Sequence, residues 1–116
     1  GYKMIAVIFE VEPKSEQSQN YFDQAKTLKA YLQNVPGFIL IERFKSLTNN
    51  SKYLSLSFFE NEAAVKQWRN QFMHQKAQNK GKDQIFDHYR IRVASVIRDY
   101  GMQDRTQAPN DTNGVR

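Results

Sequence analysis

The chain contains no cysteine among its 116 residues. Disulfide bonds, thiolate catalysis and cysteine-ligated zinc or iron–sulfur centres are therefore excluded. We expect the protein to work in a reducing compartment, where cysteine pairs would bring no stability.

Long apolar runs are also missing. No stretch approaches the roughly 20 apolar residues that cross a bilayer, and the first residues lack the apolar core of a signal peptide. We therefore expect a cytoplasmic protein that has no membrane partner.

The positive charge of the chain is not clustered. Seventeen Lys and Arg residues accompany 12 Asp and Glu residues, which gives a formal net charge of +5, and no block of five like charges occurs. An anionic partner is one interpretation of this charge. The scattered pattern favours a solvated surface over a nucleic-acid interface.

Several signatures of enzyme chemistry are absent. The chain has no GxSxG, GxxxxGK[ST] or GxGxxG motif, so hydrolase and kinase functions have no support. Its two histidines, His74 and His88, form no HxxxH or HxH pair. We therefore expect no metal site, and we interpret His88 beside Asp87 as a local pair at the start of a strand.

The length fits one domain. We place this domain at residues 1–102, because the sequence from Gln103 onward (QDRTQAPNDTNGVR) is polar and lacks an apolar period. Residues 103–116 are predicted to form a flexible polar tail.

The first half of the chain alternates between strand and helix patterns. Met4 to Val11 predicts a strand that is apolar on both faces and ends at Glu12-Pro13. Ser15 is expected to cap a helix that Pro36-Gly37 ends. The apolar stripe of this helix comprises Tyr21, Ala25, Leu28, Leu32 and Val35.

The second half repeats the alternation. Phe38 to Leu47 and Tyr53 to Phe59 predict a hairpin, and His88 to Arg98 predicts the last strand. Asn61 is expected to cap a second helix, with Gly81 as its end and a break or bend after Phe72, where the sequence becomes polar. Its apolar stripe comprises Val65, Trp68 and Phe72.

The element order β-α-β-β-α-β predicts an α+β fold of ferredoxin-like type. In this fold a four-stranded antiparallel sheet carries both helices on one face. The other face would expose apolar residues, because the first strand and the start of the second are apolar on both sides. We therefore expect a homodimer in which two sheets face one another.

Five segments carry a resemblance to a known family: IERFKSL (41–47), YLSLSFF (53–59), EAAVKQWRN (62–70), HQKAQNKGK (74–82) and YRIRVASVIRDYG (89–101). Together they resemble the antibiotic biosynthesis monooxygenase family over about residues 4–101. The resemblance implies a dimeric α+β barrel. It also implies oxygen insertion into an electron-rich aromatic substrate, without metal or flavin as cofactor.

The same resemblance identifies Trp68 as the best match to a functional family residue. The polyketide-oxidising members pair this tryptophan with an asparagine one turn earlier, where this chain has Ala64. The haem-degrading branch requires an asparagine on the first strand, and Met4 to Val11 contains none. Haem degradation is therefore not expected.

Two residues are candidates for catalysis. Trp68 could stack on a flat substrate or fill the core beside Val65 and Phe72. His74 could abstract a proton, since its ordinary pKa is near 6.5, or it could be an exposed residue of a polar helix. Six positions separate the two, about 240° around a regular helix, so the helix must end or bend for both to face one pocket.

Four further residues are candidates for substrate binding. Phe72 and Phe86 would be stacking walls, and Tyr89 a hydrogen-bond donor. Arg43 and Glu42 lie on opposite faces of a strand, so one of them must point toward a largely apolar side. Arg43 could anchor the substrate or form an ion pair across a dimer, and the sequence leaves both alternatives open.

Three functions follow from these patterns. The first is a cofactor-independent oxygenase for a hydroxylated aromatic or quinol-like molecule, and the second is a non-catalytic small-molecule binding or stress-response module. The third is RNA binding, since RNA-recognition motifs share the element order. Residues 52–59 lack the glycines of such a motif, so we expect no nucleic-acid partner.

Overall fold

The computed structural model describes residues 4–78 and 85–110. Its elements follow the predicted order, with one short helical turn added before the first helix. They are β1 (Ile5–Pro13), a 3₁₀ turn (Ser15–Gln17), α1 (Ser18–Leu32), β2 (Phe38–Lys45), β3 (Tyr53–Phe59), α2 (Glu62–Gln78) and β4 (Phe86–Ser95).

The four strands form one antiparallel sheet in the order β2-β3-β1-β4. The two helices cover one face of this sheet, so the predicted ferredoxin-like fold is confirmed. The central strand β1 contributes alternate residues to the core: Ile5, Val7, Phe9 and Val11 are all buried. The helices contribute Tyr21, Leu28 and Leu32 from α1 and Val65, Trp68 and Phe72 from α2.

The first helix begins later than predicted, and Ser15 does not cap it. Its hydroxyl donates to the Glu16 carboxylate at 3.0 Å, and α1 starts only at Ser18. The cause lies in β1, which continues to Pro13 opposite Phe86. The Lys14 N–H then donates to the Ile85 carbonyl at 2.8 Å, which holds the chain extended past the expected strand end.

Two strand ends also differ from prediction, each for a hydrogen-bonding reason. β2 stops at Lys45 because the Ser46 hydroxyl accepts the N–H groups of residues 48 and 49 and so begins the turn. β4 ends as a regular strand at Ser95, opposite Ile5, and beyond it the Val96 N–H donates to the Met4 carbonyl at 2.9 Å. Ile97, within the predicted range of this strand, lies beyond β4 and is 84% exposed.

The start of the second helix is as predicted. The Ala64 N–H donates to the Asn61 side-chain carbonyl at 2.8 Å, so Asn61 caps α2. Gly37, in the turn that follows α1, approaches this cap with φ of 90°. A Cβ there would lie 2.9 Å from Asn61 Nδ2, so the turn requires glycine both for its backbone angle and for space.

The second helix does not break after Phe72. It continues through His74 to Gln78, and the predicted bend is wrong. The cause is that its buried face extends one turn further than the apolar stripe suggested: Gln75 is 6% exposed, and its side-chain amide donates to the Gln24 carbonyl of α1 at 3.3 Å. Gly81, the expected helix end, lies outside the described residues.

The second face of the sheet has no helices over it in the described part of the chain. Leu40 and Phe44 on β2 are 45% and 37% exposed, and the apolar surface continues across Leu56, Phe58 and Ile8. The central carboxylate on this face is Glu10, which accepts from Lys52 at 2.8 Å and pairs with Arg92. We call this surface the open face.

We expect the open face to form the homodimer, because a contiguous apolar sheet face is rarely left in water. Leu56→Lys should convert the dimer to a monomer, since it places a charge at the centre of the joined sheets, where a lone monomer could still hydrate it. Light scattering at micromolar concentration measures the mass. Met73→Lys, at a 51% exposed site on α2, is the matched control and should remain dimeric. A monomeric wild-type chain would refute the assembly.

The segment after β4 forms turns whose described contacts are local. The Asp99 N–H donates to the Gln107 side chain at 2.7 Å, the Gly101 N–H donates to the Asp104 carbonyl at 2.8 Å, and the Arg105 guanidinium lies over Tyr100. These contacts link residues 99–108 to one another.

Deletion of residues 103–116 should therefore change the unfolding midpoint little, because local turn contacts contribute little to a cooperative core. Urea denaturation of the full and shortened chains measures the difference. A loss of several kcal/mol, more than a surface change usually costs, would mean that the tail docks on the domain.

Candidate functional site

A cavity of about 590 Å³ lies between α1 and the inner face of the sheet. One side is formed by α1, the other by the middle of β2, β3 and β1, and one end by α2 and the start of β4. Its lining residues from the sheet and from α2 are Phe9, Ile41, Glu42, Arg43, Ser55, Phe72, Gln75 and Phe86.

The closed end of the cavity is aromatic. Phe9 on β1 contacts four rings edge-on or tilted, with centroid distances between 5.2 and 6.3 Å. Those rings are Trp68, Phe72, Phe86 and Tyr89, so the structure brings together all four predicted aromatic site residues. Alternation along β1 directs Phe9 inward, and helical spacing aligns Trp68 with Phe72.

The mouth of the cavity carries a cation. Arg43 projects from the inner face of β2, and its guanidinium carbon lies 5.6 Å from the Tyr21 ring centroid and 5.2 Å from that of Phe22. Glu42, its neighbour, pairs in register with Leu56 on the open face. Arg43 is therefore the residue of this pair that points to the helix side.

Tyr21 on α1 contacts both the aromatic end of the cavity and Arg43 at its mouth. Its ring lies 6.0 Å from Phe86 and 5.9 Å from Tyr53, and it is 3% exposed. Its hydroxyl oxygen is buried and makes no well-formed hydrogen bond with the described residues, although the Arg43 side chain lies near enough to act on it. Burial raises the pKa of Tyr21 to about 12, against the opposing effects of the Arg43 charge and of hydrogen bonding by the same side chain.

The predicted residues differ in how they meet the cavity. Phe72, Phe86 and Arg43 line it directly. Trp68 is 2% exposed and stacks on Phe72 at an interplanar angle of 4°, so it supports the wall from behind. Its indole N–H, like the Tyr21 hydroxyl, is buried without a partner in the part of the chain that the structure describes.

Tyr89 and the two histidines lie outside the main cavity. Tyr89 accepts from Lys76 Nζ at 2.9 Å and, with His88, lines a separate cleft of about 320 Å³. His74 is exposed on α2, because the continuous helix directs it away from the side that carries Trp68. The structure thus separates His74 from the other predicted site residues.

Two site residues were missed by the sequence analysis. Tyr21 was assigned only to the apolar stripe of α1, and Gln75 followed the point where α2 became polar. Helical spacing could have found Gln75, which is three residues after Phe72 on the same face. No sequence signal indicates that the Tyr21 hydroxyl lacks a partner.

The described residues hold no cluster of three or more His, Asp and Glu side chains that could bind a metal ion. Across the same ranges, no helix is both long and apolar enough to span a membrane.

The family model described as antibiotic biosynthesis monooxygenase matches residues 4–80. The chain belongs to the antibiotic biosynthesis monooxygenase family. This match covers every element that lines the cavity except β4, and it agrees with the resemblance of the sequence segments.

Two curated relatives of this family member are similar in sequence. One is named jasmonate monooxygenase ABM, from Pyricularia oryzae, and is 42% identical over 93 residues, which are 80% of this chain and 43% of the relative. The other is the uncharacterized protein YqjZ of Bacillus subtilis, 30% identical over 87% of this chain and 86% of the relative. The chain thus spans less than half of the first relative.

A solved structure shares the fold of this monooxygenase family chain. A variant of SnoaB, a cofactor-independent oxygenase from Streptomyces nogalater, superposes with a TM-score of 0.67 over 83% of this chain and 95% of its own. At 8% identity the likeness concerns the fold alone.

The raised pKa of Tyr21 predicts a pH effect on stability. The folded chain holds the phenol proton up to about pH 12, whereas the unfolded chain releases it near its ordinary pKa of 10. The free energy of unfolding should therefore fall as pH rises through this interval, by at most about 3 kcal/mol. Urea titrations across this range measure the slope, and Tyr21→Phe should flatten it. An equal slope in both proteins would contradict the assignment.

Proposed function

We propose that this chain is a cofactor-independent monooxygenase that acts on an electron-rich aromatic or quinol-like small molecule. The observation that carries the proposal is the cavity, which has aromatic walls at its closed end and the Arg43 cation at its mouth. Family membership and the names of the relatives support the reaction class.

The proposed chemistry begins with loss of a proton from the substrate. The resulting anion is electron rich enough to react with dioxygen, and the substrate supplies all the electrons. For an anthrone, the CH₂ group becomes C=O, one oxygen atom stays in the product and the other leaves as water. The protein orients the substrate against Phe72 and Phe86, and Arg43 stabilises its negative charge.

Proton removal is the step for which the cavity offers no histidine, and its lining carboxylates are Asp23 on α1 and Glu42 on β2. His74 is exposed on α2, so its assignment as the base stays a prediction without geometric support. Tyr21 keeps its proton at neutral pH, since the ordinary pKa of tyrosine is near 10 and burial raises that of Tyr21 to about 12. We propose that solvent at the cavity mouth takes the proton, helped by Arg43, which favours the anion.

Trp68 acts in this proposal through Phe72. The two rings are parallel with centroids 5.5 Å apart, so Trp68 fixes the ring that faces the cavity. A direct contact between Trp68 and substrate would require a movement of Phe72. Tyr89, from the neighbouring cleft, contacts Phe72 and Phe86 and supports the same wall.

The alternative is a non-catalytic binding module on the same fold. Two observations favour it: Ala64, where the polyketide-oxidising members have asparagine, is 1% exposed and has only a methyl group, and His74 is remote from the cavity. Either function would be performed by a homodimer with a small aromatic ligand, and we propose a cytoplasmic location. The substrate of the Pyricularia relative supports the reaction class only, since this chain spans 43% of that protein.

Oxygen uptake with a panel of anthrones and quinols tests the proposal. Arg43→Gln should lower kcat by about 10²-fold, the usual effect of removing one group that stabilises an anion in the transition state. Phe72→Leu should raise KM, since it removes a stacking wall while preserving much of the packing.

His74→Ala is the matched control for these variants and should retain turnover, because its side chain is exposed on α2. No oxygen uptake above the uncatalysed rate with any member of the panel would favour the binding module. A large loss of turnover in His74→Ala would mean that His74 takes part in catalysis after all.

A further inference from the structure

We propose that Arg43 and Tyr21 form an oxyanion site in the cavity, so that its ligand carries a carboxylate or an ionised phenol. The proposal rests on the proposed function only in using the same cavity. It adds Tyr21, which neither the family resemblance nor the sequence pattern identified as a binding residue.

Arg43 is a cation without a carboxylate partner in the described chain. The ion pairs defined there both involve Glu10, which joins Lys52 and Arg92 on the open face. Arg43 lies instead on the inner face, between the rings of Tyr21 and Phe22. These rings restrict the guanidinium plane without neutralising its charge.

The Tyr21 hydroxyl supplies the second observation. It is almost fully buried, on a residue that lines the cavity, and among the described residues it makes no well-formed hydrogen bond, with the Arg43 side chain close beside it. An unpartnered buried hydroxyl is costly and uncommon in proteins. A phenol is protonated at neutral pH, so the Tyr21 hydroxyl is a hydrogen-bond donor there and could donate to an oxygen acceptor of a ligand in the cavity.

A guanidinium and a phenolic hydroxyl both donate hydrogen bonds, and together they match the oxygens of a planar anion. Among the other charged residues that line the cavity, Lys26 and Lys29 oppose Asp23 and Glu42, and Glu42 belongs to the open-face side of β2. Arg43 therefore gives the mouth a positive balance. A neutral ligand would partly desolvate Arg43 and leave it without a counterion, which disfavours such ligands.

Two matched pairs of probes test the site by calorimetric binding to the full chain. The first pair is 2-naphthoate and its methyl ester, and the second is 4-nitrophenol and 4-nitroanisole. The wild type should bind naphthoate about 10- to 100-fold more tightly than the ester, the usual range for charge-assisted hydrogen bonds. It should also lower the apparent pKa of bound 4-nitrophenol, which absorbance reports directly. The pair with the larger preference identifies carboxylate or phenolate as the ligand group.

Variants separate the two donors. Arg43→Gln should abolish the preference for the anion, whereas Arg69→Gln, which removes the same charge from an exposed site on α2, should retain it. Tyr21→Phe should weaken naphthoate binding several-fold and leave ester binding unchanged. It should also raise or preserve the unfolding midpoint, because it removes a buried hydroxyl that has no partner. A purely structural tyrosine would instead lose stability and keep the preference.

Equal affinity for acid and ester would overturn the proposal, as would absence of binding of every probe or equal effects of Arg43→Gln and Arg69→Gln. These binding measurements do not depend on whether the protein turns a substrate over. A clear anion preference without oxygen uptake would refute the monooxygenase and leave the oxyanion site standing. Oxygen uptake without an anion preference would refute the oxyanion site and leave the monooxygenase standing.

Discussion

The packing of Phe9 against four aromatic rings is the interaction on which the rest of the structure depends. Phe9 lies at the middle of β1, which pairs with β3 on one side and β4 on the other. Its contacts with Trp68, Phe72 and Phe86 fix α2 and the start of β4 against the sheet. The same rings form the closed end of the cavity. Stability and site therefore share their residues, which explains why Trp68 can be core and still shape a binding wall.

The sequence predicted the order of elements because apolar periods of two and of about 3.6 residues are local properties of the chain. β3 has the predicted bounds, and Asn61 caps α2 as expected. Two of the errors lie where a distant partner determines an end, whereas β2 ends early through the local hydrogen bonds of Ser46. The regular pairing of β4 with β1 ends at Ser95, opposite Ile5, and α1 starts late because Lys14 is bonded to Ile85. Neither partner is adjacent in sequence, so no local pattern could have shown it.

The candidate site was predicted less completely, for a related reason. Aromatic residues can be recognised in the sequence by their type, and the four predicted ones pack around Phe9. Roles that depend on the direction in which a side chain points were harder to assign. His74 required a break in α2, and the polar residues after Phe72 suggested one. Gln75 instead continues the buried face by bonding to the α1 backbone. A buried glutamine with a backbone partner resembles an exposed glutamine in sequence, and only the fold distinguishes them.

Tyr21 illustrates what a residue type alone does not reveal. As the first member of the α1 stripe it contributes an apolar ring to the core, and phenylalanine would do this without burying a hydroxyl. The chain nevertheless has a hydroxyl there, beside the only arginine of β2 and at the edge of the cavity. Such a group lowers the stability of the empty protein and can be compensated when a ligand accepts its hydrogen bond. The cost in the empty state and the affinity in the bound state would then have the same origin.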